Sequence, residues 1–136
     1  MTEQRGFLKF SEGDQLLPQE EILDFDVKKS RLTIGIPAES SYQECRTPLA
    51  PQAAGLLVAN GHRILIQKGA GKSARFSDEE YSEAGAEIAY SPEEVYKADI
   101  ILKVAPMSMK ELDLLKSRQT LITALHLPGQ SRKYFE

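Results

Sequence analysis

Three residues carry side chains that their immediate neighbours do not explain. Lys103 interrupts an otherwise apolar run, "DIILKVA", and an ammonium drawn into an apolar setting needs a partner or a function. His126 closes a second such run, "TLITALH", before Leu127-Pro128-Gly129. Imidazole titrates near neutral pH and can give or take a proton. Arg46 lies in the polar loop "AESSYQECRTP", which also bears Glu39, and its planar fork suits a carboxylate. Singly, each has an ordinary alternative. A strand-end histidine is often structural, a strand lysine can snorkel to water, and a loop arginine is commonly solvated.

The stretch "QKGAGKSA" (67–74) invites a nucleotide reading. A Walker loop needs G-x-x-x-x-G-K-[ST], and with Gly71-Lys72-Ser73 as its tail the first glycine would fall on Ile66. A dinucleotide fingerprint has the right spacing in Gly69, Gly71 and Ala74, after the strand-like "RILIQ". Its glycines must run straight into a helix whose N-terminus holds the pyrophosphate. Here the next helix start is the capping box Ser77-Asp78-Glu79-Glu80, whose acids repel a phosphate. The stretch therefore reads as a glycine turn after a strand, and no cofactor-binding residue is assigned.

The remaining candidates are weaker. Cys45 adjoins Arg46 but has no histidine close in sequence to act as its base, so it reads as a bystander. His62, beside Asn60-Gly61, reads as a surface residue. No set of His, Cys and acids has metal-ligand spacing, so no metal is expected.

The elements that must position these residues follow from period and punctuation. "RLTIGIP" (31–37), "HRILIQ", "AEIAY", "DIILKVA" and "TLITALH" read as five short strands. Between them, "LAPQAAGLLVANG" places Leu49, Ala53, Leu56 and Leu57 at helical spacing, with Asn60-Gly61 as its stop. Helix starts recur at Ser77, at Ser91-Pro92 and at the Ser108–Glu111 box. Strands alternating with helices argue an α/β fold, a three-layer, doubly wound, mainly parallel sheet of Rossmann-like or flavodoxin-like form. In such a sheet ligands bind beyond the carboxyl ends of the strands, where the loop of Glu39 and Arg46, Lys103 and His126 all fall.

Composition bounds the rest. The chain has 136 residues, 41% hydrophobic and 27% charged, enough for one domain with a core. A net charge of −3 offers no basic footprint, so no nucleic-acid partner is expected. The imbalance lies in residues 1–30, with seven acids and four bases; this stretch reads as an N-terminal extension, an arm with a short helix. One cysteine rules out an internal disulfide, no apolar run approaches a membrane span, and "MTEQRGFLKF" is too polar for a secretion signal. A cytoplasmic setting without membrane contact is the expectation.

The motifs "RLTIGIPAES", "ECRTPLAP", "LLVANGHRILIQKGAGKSARFSDEEYSEAGAEI", "ADIILKVAP" and "LITALHLP", in that order, resemble the N-terminal part of the alanine dehydrogenase family. That family is related to the NAD(P) transhydrogenase α-subunit and to saccharopine dehydrogenase. The resemblance implies that residues 31–136 are a substrate-binding lobe. It also implies that NAD binds a further domain outside this chain, and that the lobe alone is inactive. It implies that Arg46, of the "E-x-R" loop, binds the substrate carboxylate. Lys103, of the "ILKV" strand, contacts the keto acid, pyruvate, or L-alanine, and His126, of the "LHL" turn, is the catalytic acid/base. The parent is expected to be a homo-oligomer. Val104-Ala105-Pro106 is closer to the transhydrogenase style, which keeps the equivalent transhydrogenase lobe as an alternative beside a stand-alone small-carboxylate module. His126 favours the dehydrogenase, since the transhydrogenase subunit usually carries an aromatic there.

Overall fold

A computed structural model describes residues 30–40 and 42–136. The proposed extension therefore lies, except for Ser30, outside the described residues.

Five strands form one sheet: β1 Thr33–Ile36, β2 Arg63–Gln67, β3 Glu87–Ala89, β4 Ile100–Leu102 and β5 Thr120–Ile122. Their order is β3-β2-β1-β4-β5 and every pairing is parallel. This is the Rossmann-like order of the two forms anticipated. Four helices connect them: α1 Pro51–Ala59, α2 Asp78–Glu83, α3 Pro92–Val95 and α4 Met109–Leu112. On one face Ala54 of α1 and Tyr81 of α2 pack with Ile34, Ile36, Ile64 and Ile66. On the other, Tyr96, Ala98, Ile101 and Met107 pack with Leu112, Leu114 and Leu115. Helices thus cover both faces, giving three layers. The central isoleucines Ile36, Ile64, Ile66 and Ile101 are at most 1% exposed, each contributing about 1.5–3 kcal/mol of burial.

Local chemistry explains most element ends. Pro51 opens α1 at its first turn. Ser77 and Ser108 each form a reciprocal capping box, with Glu80 and Glu111. Ser91 caps nothing with its side chain, and Pro92 starts α3 instead. The buried stripe of α1 differs from the sequence expectation. Ala54, Leu57 and Val58 face the core, while Leu56 is 66% exposed. The helix begins at Pro51, after Leu49, and the i, i+3, i+4 set that faces the sheet is shifted accordingly.

Gly35, in the middle of β1, has a steric task. A Cβ there would lie 2.5 Å from the Val95 carbonyl oxygen and 2.9 Å from Ala98 Cβ. Its bare backbone lets the end of α3 lie directly on the sheet.

Candidate functional site

The sheet order reverses direction between β1 and β4. Chain leaving β1 goes to one side and chain leaving β4 to the other, so a crevice opens at their carboxyl ends. Lys103 stands in it, one residue past β4, with its side chain fully buried. Two carboxylates hold the ammonium: Glu111 Oε1 at 2.9 Å and Glu39 Oε2 at 3.4 Å. The strand therefore ends at Leu102, and the lysine neither snorkels nor interrupts the ladder.

Each partner is itself anchored. Glu39, on the loop after β1, accepts from the Val104 amide at 2.6 Å and the Ala105 amide at 3.3 Å. Its carboxylate thereby joins the exits of β1 and β4. Glu111 is the acid of the α4 capping box and accepts from the Ser108 amide at 2.7 Å. Its other oxygen takes the Tyr96 hydroxyl at 3.1 Å as well as Lys103. Burial pushes Glu111 up, but the Ser108 amide and Lys103 outweigh it, and its pKa ends below the ordinary carboxylate value. Burial and the neighbouring Glu111 push the Tyr96 hydroxyl well up, so it stays a donor. Among the described residues no buried side-chain polar atom lacks a partner. A cleft of about 470 Å³ opens beside this group, lined by Ala38, Ser40, Gln67, Tyr96, Ser108 and Glu111 among others.

Arg46 sits on the loop from β1 with its side chain 73% exposed. Its guanidinium is forked onto Glu44, at 2.8 Å from both Nε and Nη2. This hydrogen bonding is the main cause that holds Glu44 down to about 2. Arg46 also senses the charge of Glu39, which raises its own pKa further. Arg46 and Lys103 thus share Glu39 as an electrostatic neighbour, while each has a different closest partner.

His126 departs from its expected place at the end of a strand. β5 stops at Ile122, and the β4–β5 ladder continues only through Lys103 N to Ile122 O and Ala124 N to Val104 O. His126 follows in a left-handed conformation (φ 46°), exposed, leading a 3₁₀ turn at Leu127–Gly129. Its ring stacks on Tyr42, with centroids 5.9 Å apart and planes 20° apart.

The glycine stretch is a closed turn. Gly69 has φ 77°, and its amide donates to Asp78 Oδ1 at 2.8 Å. A Cβ on Gly71 would lie 2.6 Å from the Tyr81 ring. The Gly69 amide, one of those a phosphate would need, is thus held by a carboxylate here. His62 corrects another expectation. It is half-buried, and its Nδ1 accepts from the Leu32 amide at 3.4 Å, tying the end of α1 to the start of β1. Cys45 is exposed. Among the described residues no group of three or more His, Cys, Asp or Glu could hold a metal ion. Nor is any helix there long and apolar enough to cross a membrane.

The sequence profile described as "Alanine dehydrogenase/PNT, N-terminal domain" matches residues 35–136, most of the chain. The chain belongs to this family. It is 36% identical over 99 residues to the alanine dehydrogenase of Bacillus subtilis, covering 73% of this chain and 26% of that protein. It is 40% identical over 97 residues to that of Methanococcus maripaludis, covering 71% and 26%. The solved structure of an L-alanine dehydrogenase superposes with a TM-score of 0.73 at 35% identity, over 77% of this chain and 29% of the other. A transhydrogenase from Sinorhizobium meliloti superposes at 0.63 and 30% identity, over 67% and 27%. This member of the alanine dehydrogenase/PNT family thus spans about a quarter of the length of the curated relatives it matches.

The strand ends and the family resemblance together pointed to Arg46, Lys103 and His126, with Glu39 on the loop of Arg46, but not to Glu111 or Tyr96. Glu111 was visible only as a capping acid. Neither Tyr96 nor Tyr42 gave a signal in the sequence.

Proposed function

We propose that residues 31–136 form the substrate lobe of an NAD-linked alanine dehydrogenase, interconverting L-alanine and pyruvate. NAD is held by parts of the parent outside this chain, and the lobe alone is inactive. The observation that carries this reading is Lys103. Its ammonium is buried at the β1–β4 switch point and held by Glu39 and Glu111, which is an expensive arrangement for a purely structural lysine. A substrate carboxylate would replace Glu44 on the fork of Arg46, whose exposed position leaves it free to turn. Lys103 would face the keto oxygen, and His126 would take and return the proton as the C–N bond is made or broken. The parent is proposed to be a cytoplasmic homo-oligomer.

The transhydrogenase lobe remains the second reading, favoured by Val104-Ala105-Pro106 and by the superposition on a transhydrogenase. The two separate on His126. In the full-length parent, His126→Ala should lower alanine-dependent NADH formation by about 10²–10⁴-fold with NADH affinity unchanged. A parent whose alanine oxidation survives this substitution intact would remove His126 from the mechanism and make the transhydrogenase reading the better one.

A further inference from the structure

Two loops with left-handed, non-glycine backbone approach each other, one through Tyr42 (φ 58°) and its neighbour Gln43 (φ 51°), the other through His126 (φ 46°). A bulky residue adopts this region at a cost, and such residues persist where the surroundings fix them. Here the product of the two distorted loops is a ring pair. Tyr42 lies near-parallel to the His126 imidazole at 5.9 Å, within the range of an attractive offset stack. The Tyr42 hydroxyl also accepts from Gln130 Nε2 at 3.3 Å, on the chain just beyond the turn that His126 leads. Gly129 N closes that turn onto the His126 carbonyl at 2.9 Å. Tyr42 therefore grips the His126 segment at two points, the ring and the following turn. Tyr42 itself is 63% exposed, so it is not there to fill the core.

We propose that Tyr42 is a positioning residue for His126. Its ring fixes the plane of the imidazole, neither of whose nitrogens bonds to a partner among the described residues, and its hydroxyl clasps the loop of Arg46 to the loop of His126. This rests on the proposed role of His126 as acid/base, and a stack across the face suits that role. It restricts rotation of the ring without occupying a nitrogen that must carry a proton. A hydrogen-bonded partner would have used one of the two.

Two measurements test it. The first is the proton NMR spectrum of the 136-residue chain, which has two histidines, so His126→Ala identifies the resonances of His126. A stacked Tyr42 should shift the His126 ring protons upfield. Tyr42→Ala should return them to ordinary positions, and Tyr42→Phe should keep the shift. The second is alanine oxidation by the full-length parent. Tyr42→Ala should lower kcat by roughly threefold to tenfold, the scale of one aromatic contact, with KM for alanine unchanged, and Tyr42→Phe should recover most of it. Unshifted His126 resonances in the wild type would overturn the stack and leave the proposed function standing. A Tyr42→Ala variant with the kcat of the wild type would overturn the positioning role, and a Tyr42→Phe variant as slow as Tyr42→Ala would overturn the stack as its cause. A clear stack together with a harmless His126→Ala would instead bring down the function proposed for His126, and this inference with it.

Discussion

The Glu111 carboxylate accepts from the Ser108 amide with one oxygen and from Lys103 and Tyr96 with the other. One side chain thus starts α4 and neutralises the buried lysine. Glu111→Gln keeps an acceptor for the cap but removes the charge. At neutral pH it should cost about 1.5–3 kcal/mol, the range for a charged hydrogen bond, since Glu39 still faces Lys103. The sign of the pH dependence follows from the lowered pKa of Glu111. A carboxylate depressed in the fold contributes fully above its unfolded value of ~4.3 and loses that contribution as pH falls through the folded value. Urea unfolding of wild type and Glu111→Gln should therefore differ at pH 7 and converge as pH falls below the ordinary carboxylate range. A gap that stays constant with pH would mean the charge of Glu111 contributes nothing to the fold.

At the scale of elements, the seat of α3 on β1 is set by an absent side chain. Gly35→Ala places a methyl against the Val95 carbonyl and Ala98, both fixed by the end of α3. Backbone cannot swing aside as a long side chain can, so the substitution should cost about 1–3 kcal/mol. Gly129, with nothing within 4 Å of its notional Cβ, provides the control, and Gly129→Ala should be near neutral. Urea midpoints of the two variants decide the matter; equal midpoints would contradict the close approach. Much of this level was legible in the sequence. The boxes at Ser77 and Ser108 and the proline start at Pro92 are local chemistry, readable without a partner. The steric role of Gly35 was not, because nothing near it in sequence names Val95 as its neighbour.

For the molecule as a whole, the decisive surface is the carboxyl edge of the sheet and what it omits. The glycine turn that most resembles a nucleotide loop spends its Gly69 amide on Asp78 and packs Gly71 against Tyr81. Titration of NADH into this chain, followed by fluorescence, should accordingly show no micromolar binding. Saturation in that range would mean that the turn opens and that the closed geometry at Asp78 is not its working state.

The order of strands and helices, the parallel sheet and the helix starts were determined by the sequence itself, because each depends on period, β-branching or a cap within a few residues. The chemistry-bearing types were also present at sight in Arg46, Lys103 and His126. Their company was decided only by the tertiary structure. Glu39 reaches the Val104 amide across 65 positions of chain, and it does so because β4 pairs with β1 while β2 takes the other edge. Lys103 could have reached water. Burial beside Glu39 and Glu111 made it an internal ion pair, since a desolvated ammonium must find its charge inside. Likewise His126 was expected at a strand end. The ladder ends early, and the imidazole swings into a left-handed turn against Tyr42. Such choices depend on which loops the strand order brings together in space, and local period carries no record of that.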